Sequence, residues 1–241
     1  MFFKQPINKL NFLLPTSDCL LCHGAVRAHS ERAIIICEHC HDKLPLLDQC
    51  CPVCALPVPS HQGLACGECL KNTPVFSQTL AAFHYEPPIS DFITRLKFNN
   101  QRQLIPLLCE SLIARIERHY QNSARPQQLI PVPLHPKKLR QRGFNQAQLL
   151  ANRLAKKLTI PLLPNAVSRC RETSAQINLD AIERQRNLKD AFQINQPVKA
   201  HVAIIDDVMT TGTTVSELSK ALLNAGTTRV DVWCIARAYA V

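Results

Sequence analysis

No stretch of this sequence approaches the apolar length of a membrane-spanning helix. The start, Met1 to Pro6, also lacks the charged lead-in and sustained apolar run of a secretion signal. The expectation from both is a soluble, cytoplasmic protein whose thiols stay reduced and available to metal. Acidic side chains are scarce beside basic ones, 18 against 28, giving a formal charge of +10 and a pI near 9.2. That excess favours polyanionic partners, either nucleic acid or phosphorylated ligands, and by itself selects neither. Also missing is any G-K-[ST] string, which excludes a Walker-type phosphate loop. With 46% hydrophobic residues over 241 positions, the chain can hold one α/β domain and a small accessory one.

Cysteine, by contrast, is plentiful and unevenly placed. Nine of twelve lie between Cys19 and Cys69, and eight of them form four C-x-x-C pairs. Such a turn sets two sulfurs on one side of a knuckle, and two knuckles close a tetrahedron. Cys19, Cys22, Cys37, Cys40, Cys51, Cys54, Cys66 and Cys69 are therefore candidate ligands for one or two zinc ions. The simplest arrangement is two sequential Cys₄ sites; an interleaved one is equally open to the spacing. Cys50 competes with Cys51 as first ligand of the third pair, and Cys51 gives the regular spacing. His23, His29, His39, His41 and His61 lie among the pairs and read as bystanders. Closed four-thiolate sites leave no open position for catalysis, so their expected role is structural. Cys109, Cys170 and Cys234 stand alone in apolar surroundings and are expected in the core.

Three segments follow from the texture of the chain. Residues 1–16 place Phe3, Ile7, Leu10 and Leu14 at helical spacing, predicting a short amphipathic helix. Residues 17–73 hold the cysteine pairs as a double zinc ribbon, too short of apolar periodicity to fold on hydrophobic burial alone. Residues 74–241 alternate strands with helices, which predicts an α/β domain with a mostly parallel sheet flanked by helices. Strands are expected over Thr79 to Tyr85, Leu129 to Pro133, His201 to Ile205 and Arg229 to Ala236. The intervening helices bury Ile89, Phe92, Ile93 and Leu96, then Leu104 to Tyr120, then Ala147, Leu150, Ala151, Leu154 and Leu158, and lastly Val215 to Ala225.

The most informative string begins at Val202-Ala203-Ile204-Ile205, a run without polar alternation, as in a central parallel strand. Asp206 and Asp207 follow. Burying two adjacent carboxylates in a strand is costly, so they are expected at its open carboxyl end, where ligands of such sheets bind. Thr210, Thr211, Gly212, Thr213 and Thr214 come next, with Gly212 permitting a positive φ and close backbone approach. Thr214 with Glu217 fits a capping box that would start a helix, and Gly226 would end it. Amides at that helix start, together with hydroxyls, make an anion cradle.

Taken together, Val202 to Thr214 resembles the phosphoribosyl pyrophosphate (PRPP) motif of type I phosphoribosyltransferases. The resemblance implies that Asp206 and Asp207 hold the ribose hydroxyls, that Thr210 to Thr214 hold the 5′-phosphate, and that Mg²⁺ accompanies PRPP. Two polar stretches are candidates to serve the same crevice. Lys137, Lys138 and Arg142 follow the second strand and are favoured for pyrophosphate, with Arg171 from the stretch Arg169 to Gln176. Lys97, beside an apolar helix face, ranks below them.

The cysteine pairs, Leu96-Lys97-Phe98, Arg142-Gly143-Phe144-Asn145-Gln146, Arg171 to Gln176, Arg184 to Phe192 and the acid-pair loop together resemble the ComF (ComFC) family. That resemblance spans nearly the whole chain. It implies a cytoplasmic role in natural transformation, handling incoming single-stranded DNA, with protein partners in the uptake machinery. Phe98, Phe144, Phe192 and Trp233 are the aromatics available for stacking on single strands. Two other functions fit the same residues: an active phosphoribosyltransferase whose acceptor and catalytic residues are unknown, and a zinc-ribbon scaffold for protein interaction.

Overall fold

Val202 to Ile205 lie in a strand buried on both faces, as their unbroken apolarity requires. The computed structural model of this chain describes residues 16–27, 36–58, 63–170 and 191–239. Residues 1–15, with the expected amphipathic helix, and residues 171–190, with Arg171 and Arg184, lie outside the described residues, as do His29 and His61.

The chain divides into two compact units, Met1–Leu44 and Pro45–Val241, with the break between the second and third cysteine pairs. The first contains β1 (Thr16–Asp18) paired antiparallel with β2 (Ala25–Arg27), and a single turn, α1 (Glu38–His41). The second contains α2 (Gly67–Lys71), β3 (Gln78–His84), α3 (Ile89–Asn99), α4 (Ile105–His119), β4 (Gln128–Pro131), α5 (Pro136–Arg142) and α6 (Gln146–Leu158). It continues with β5 (Val167–Arg169), β6 (Phe192–Ile194), β7 (His201–Met209), α7 (Thr213–Asn224) and β8 (Arg229–Arg237).

Four strands form one parallel sheet in the order β3-β8-β7-β4; β5 and β6 make a separate antiparallel pair. The two central strands have the most continuous apolar sequences, as burial on both faces demands. Helix α4 buries Leu108, Leu112 and Ile116, four residues apart, and packs on α6, β3 and β8. Helix α6 buries Ala147, Leu150, Ala151, Leu154 and Leu158 toward β4 and β7. Asn145 caps it, its side chain accepting from the Ala147 amide at 3.0 Å.

Helix α7 packs on β8, β7 and β6. Its buried Val215, Leu218 and Leu222 belong to the same apolar cluster as Leu47, Cys51, Cys54, Ala55 and Cys69. The second pair of knuckles is thus built into the core of the larger unit rather than standing apart from it. Hydrophobic burial therefore contributes to holding this segment, which the sequence leads one to assign to metal alone.

At the amino edge of the sheet Asp231 is fully buried. Its carboxylate accepts from Tyr120 Oη at 2.6 Å, Gln78 Nε2 at 3.2 Å and Arg229 Nε at 3.2 Å, with His201 Nε2 at 2.7 Å. Each of these donors offsets part of the desolvation of a buried charge. Trp233, fully buried, donates to the Tyr120 oxygen at 3.4 Å. It is a core residue and presents no stacking face.

Candidate functional site

Strand β7 does not stop before its acids but runs through them to Met209, so the expected break after Ile205 is corrected. Its neighbour β4 ends earlier, at the Pro131–Ile205 register, and on that side the acids stand beyond the last paired residue. Adjacent strand residues point to opposite faces. Asp206 shares the side of Val202 and Ile204, and Asp207 the side of Ala203 and Ile205.

Asp207 is only 3% exposed, a burial that an isolated carboxylate would not tolerate. Two elements make it possible. The Lys97 ammonium, from the last turn of α3, pairs with Oδ2. Gln146 Nε2, from the first turn of α6, donates to Oδ1 at 3.0 Å. Burial pulls the Lys97 ammonium down, but the Asp207 carboxylate outweighs it and the net shift is upward. The relay extends outward, because Arg142 Nη1 donates to Gln146 Oε1.

Asp206 is half-buried, and its Oδ1 accepts from the Asp207 amide at 2.9 Å. Burial, then the neighbouring Asp207 charge, pushes its carboxyl up to about 8 against the pull of Lys97. Arg169 lies on β5; burial pulls its guanidinium down and the Asp206 charge opposes that.

The threonine loop follows directly. Gly212 adopts φ +77°, the left-handed region that favours glycine, and a Cβ there would stand 2.8 Å from Met209 Cε. Gly212 is itself the N-cap of α7, without a side-chain cap. The capping box expected at Thr214 is therefore corrected: α7 starts at Thr213, and Glu217 instead pairs with Lys220 at 2.6 Å. The Thr213 amide donates to Thr211 Oγ1 at 3.4 Å; amides of a helix's first turn have no helical acceptor and are available to an anion. Thr210 and Thr211 are exposed, and Thr211 Oγ1 lies 2.8 Å from Thr213 Oγ1. Helix α7 ends as expected at Gly226, φ +99°, where Gly226 and Thr227 amides close a Schellman turn on Leu223 and Leu222.

Beneath the loop lies Arg237, which sequence reasoning passed over. It is buried at 6% exposure and donates to the carbonyls of Cys54 (2.8 Å), Met209 (3.0 Å), Thr210 and Ala238. One guanidinium thereby joins the third cysteine pair to the start of the threonine loop. The only signal in the sequence was an arginine ending an otherwise apolar strand.

Of the basic candidates, Lys97 touches the acid pair directly and Arg142 reaches it through Gln146. Lys137 is exposed and Lys138 half-buried on α5, whose N-cap His135 accepts from the Lys137 amide at 3.3 Å.

The cysteines gather into two quartets, Cys19-Cys22-Cys37-Cys40 and Cys51-Cys54-Cys66-Cys69, each with its sulfurs within 4.8 Å of one another. A tetrahedral zinc with bonds of about 2.3 Å needs sulfurs about 3.8 Å apart. Cys22 to Cys37 and Cys54 to Cys66 are each 3.7 Å. Amides aim at the first sulfur of each knuckle pair: Cys37 N to Cys19 Sγ at 3.3 Å, and Cys66 N to Cys51 Sγ at 3.2 Å. Burial opposes ionisation of Cys19 and Cys51, yet these amides and those of their own knuckles pull the thiols down to about 6 and about 7. Geometry and donor type both fit zinc. The pairing is sequential, not interleaved. Cys50 stays outside its quartet, with Arg115 Nη2 3.1 Å from its sulfur. Cys109 and Cys234 are core residues, but Cys170 is exposed, a correction arising because β5 ends at the surface.

Among the described residues no helix is long and apolar enough to cross a membrane. Residues 9–70 match the family model of the double zinc ribbon domain. DNA utilization protein YhgH of Escherichia coli strain K12 is 37% identical over 205 residues, 84% of this chain and 90% of that protein. Competence protein F of Haemophilus influenzae is 40% identical over 181 residues, 72% and 78% of the two chains. A purine phosphoribosyltransferase from Pyrococcus horikoshii aligns at 16% identity and a TM-score of 0.35 over 56% of this chain and 81% of that one, too slight a likeness to define the fold. Both relatives exceed 30% identity over more than two thirds of this chain, and on that ground the chain belongs to the ComF family of competence proteins.

Proposed function

We propose that this chain is a ComF-like competence protein that binds PRPP with Mg²⁺ at the carboxyl edge of its sheet and handles single-stranded DNA in the cytoplasm during uptake. The observation that carries the first half is the junction of Asp206, Asp207 and the uncapped start of α7 at one strand end. An acid, an anion cradle and a buried cation at one edge match the parts of a sugar phosphate. The acids divide the work. Asp207, neutralised by Lys97 and held by Gln146, fixes the floor, and Asp206 is left to meet the ribose hydroxyls. Asp206 would help hold Mg²⁺ arriving with PRPP, and the ion would supply neutralisation of the ligand's negative charge. Thr210 to Thr214 would receive the 5′-phosphate, and Arg142, linked to Asp207 through Gln146, would serve pyrophosphate with Lys137 and Lys138 of the same helix. Zinc in the two quartets is structural.

The DNA half is supported by the +10 charge and by the names of the relatives, one a competence protein and one a DNA utilization protein. Isothermal titration with PRPP and Mg²⁺ tests the ligand. Heat of binding is expected from the wild-type protein and a loss of at least tenfold in affinity from Asp206→Asn; no heat from the wild type would refute the reading. Binding of single-stranded oligonucleotide that weakens steeply with salt tests the partner. Release of pyrophosphate with candidate acceptors would instead favour a working transferase.

A further inference from the structure

Two segments that flank the acid pair exchange arginines across each other. One is the end of α3, Lys97-Phe98-Asn99, with the turn beyond it to Arg102, where Asn100 takes φ +52°. The other is the turn from α5 into α6, Arg142-Gly143-Phe144-Asn145, where Gly143 takes φ +80°. Arg142 lies over the Phe98 ring, 5.4 Å from its centroid, and Arg102 lies over the Phe144 ring at 5.2 Å. Each segment gives its arginine to the other's phenylalanine. Both segments are also fixed from within, one by Lys97 on Asp207 and the other by Gln146 on Asp207 and by Asn145 Nδ2 on the Val132 carbonyl at 3.0 Å.

Phe98 is 72% exposed, whereas of the other aromatics considered for stacking Phe144 is half-buried and Phe192 and Trp233 are buried. An apolar ring so open gains little from folding, and it is not isolated among polar groups by accident of a loop. It sits one residue from the Lys97 that enters the acid pocket, under a guanidinium that continues the relay to Asp207. A flat ring with an arginine on one face and its remainder open to solvent has the chemistry of a nucleobase platform. The base stacks on the ring, and the neighbouring arginines meet the phosphates on either side of it.

We infer that this crossed pair of arginine–phenylalanine stacks is the surface that grips single-stranded DNA, with Phe98 stacking an unpaired base and Arg102 and Arg142 meeting the flanking phosphates. The inference rests on the DNA-handling reading above and adds to it the face and the mode of contact. It also gives the arrangement a logic: the strand contacts and the PRPP contacts share Arg142, Gln146 and the last turn of α3, so the two ligands meet at adjoining surfaces.

The test uses the full-length, zinc-loaded protein and fluorescence anisotropy with a labelled oligothymidylate at low salt, beside an abasic oligomer of equal length. Wild type is expected to prefer the oligothymidylate roughly tenfold, the scale of one stacked base. Phe98→Ala should lose that preference while binding the abasic oligomer as wild type does. Phe98→Leu, which keeps apolar bulk without the ring, should behave like Phe98→Ala. Because Phe98 is exposed, neither change threatens the fold. Arg102→Gln should weaken both oligomers and lower the salt slope by about one. If wild type binds single strands but Phe98→Ala binds both oligomers as wild type does, the platform is wrong and DNA handling stands. If wild type binds no single strand at all, the function proposed above fails and the platform with it.

Discussion

Replacing Arg237 by methionine should loosen the threonine loop from below while keeping the volume of the buried stem. The guanidinium satisfies the carbonyls of Cys54, Met209, Thr210 and Ala238. Met209 keeps a second donor, the Ala238 amide at 2.9 Å, so the oxygens left most exposed to loss are those of Cys54 and Thr210. An unsatisfied buried acceptor costs about 1–3 kcal/mol, and two give about 2–6 kcal/mol. Removing a buried charge offsets part of that, leaving an expected loss of about 2–4 kcal/mol. Urea unfolding measures the total. Hydrogen exchange across residues 209–216 measures where it falls, and exchange there should quicken well beyond that of β8 or α6. PRPP affinity should fall with it, because amides that wander no longer converge on a phosphate. An unchanged urea midpoint would refute the reasoning, as would lost stability with normal exchange in the loop.

Three further outcomes follow from the same geometry. The Asp206 carboxyl, raised to about 8, keeps a proton that the unfolded chain has lost above about pH 4, so stability should fall as pH rises between those values, by up to about 1.4 kcal/mol per unit. Asp206→Asn should flatten that slope in urea midpoints taken at pH 5, 6.5 and 8, and PRPP–Mg²⁺ affinity of the wild type should strengthen as pH climbs through 8. Gly212→Ala should cost about 1–2 kcal/mol from its left-handed φ and push Met209 away from Thr79 Oγ1, 3.8 Å from its sulfur; a neutral thermal melt would contradict this. Tyr120→Phe removes one donor from the buried Asp231 and should lower stability by about 1–2 kcal/mol without altering PRPP titration, since it lies at the opposite edge of the sheet.

The alternation of strands and helices was legible because each element carries its own period. Ile89, Phe92, Ile93 and Leu96 mark α3, and the same four are buried in it. Boundaries were less legible where tertiary partners decide them. Strand β7 continues through Asp206 and Asp207 because Lys97 and Gln146, distant in sequence by 110 and 61 residues, make burial of Asp207 tolerable. Nothing local announces such partners. Lys97 was underrated for the same reason: beside an apolar helix face it looks like a snorkelling surface lysine, and only the fold turns it inward. The sulfur quartets were readable from spacing, since a knuckle is a local turn. The choice of Cys51 over Cys50 also followed from spacing; what spacing could not show is the partner of Cys50, Arg115, 65 residues further along.

The break between Leu44 and Pro45 sets the two sulfur quartets under separate masters. One is tied to a small hairpin with Cys22 open to solvent; the other has Cys51, Cys54 and Cys69 tucked among core side chains. Chelators should therefore strip the protein in two well-separated phases. The early phase would leave the larger unit, Pro45–Val241, undisturbed, and the late one would coincide with its collapse. The first metal is then a removable rivet and the second a keystone.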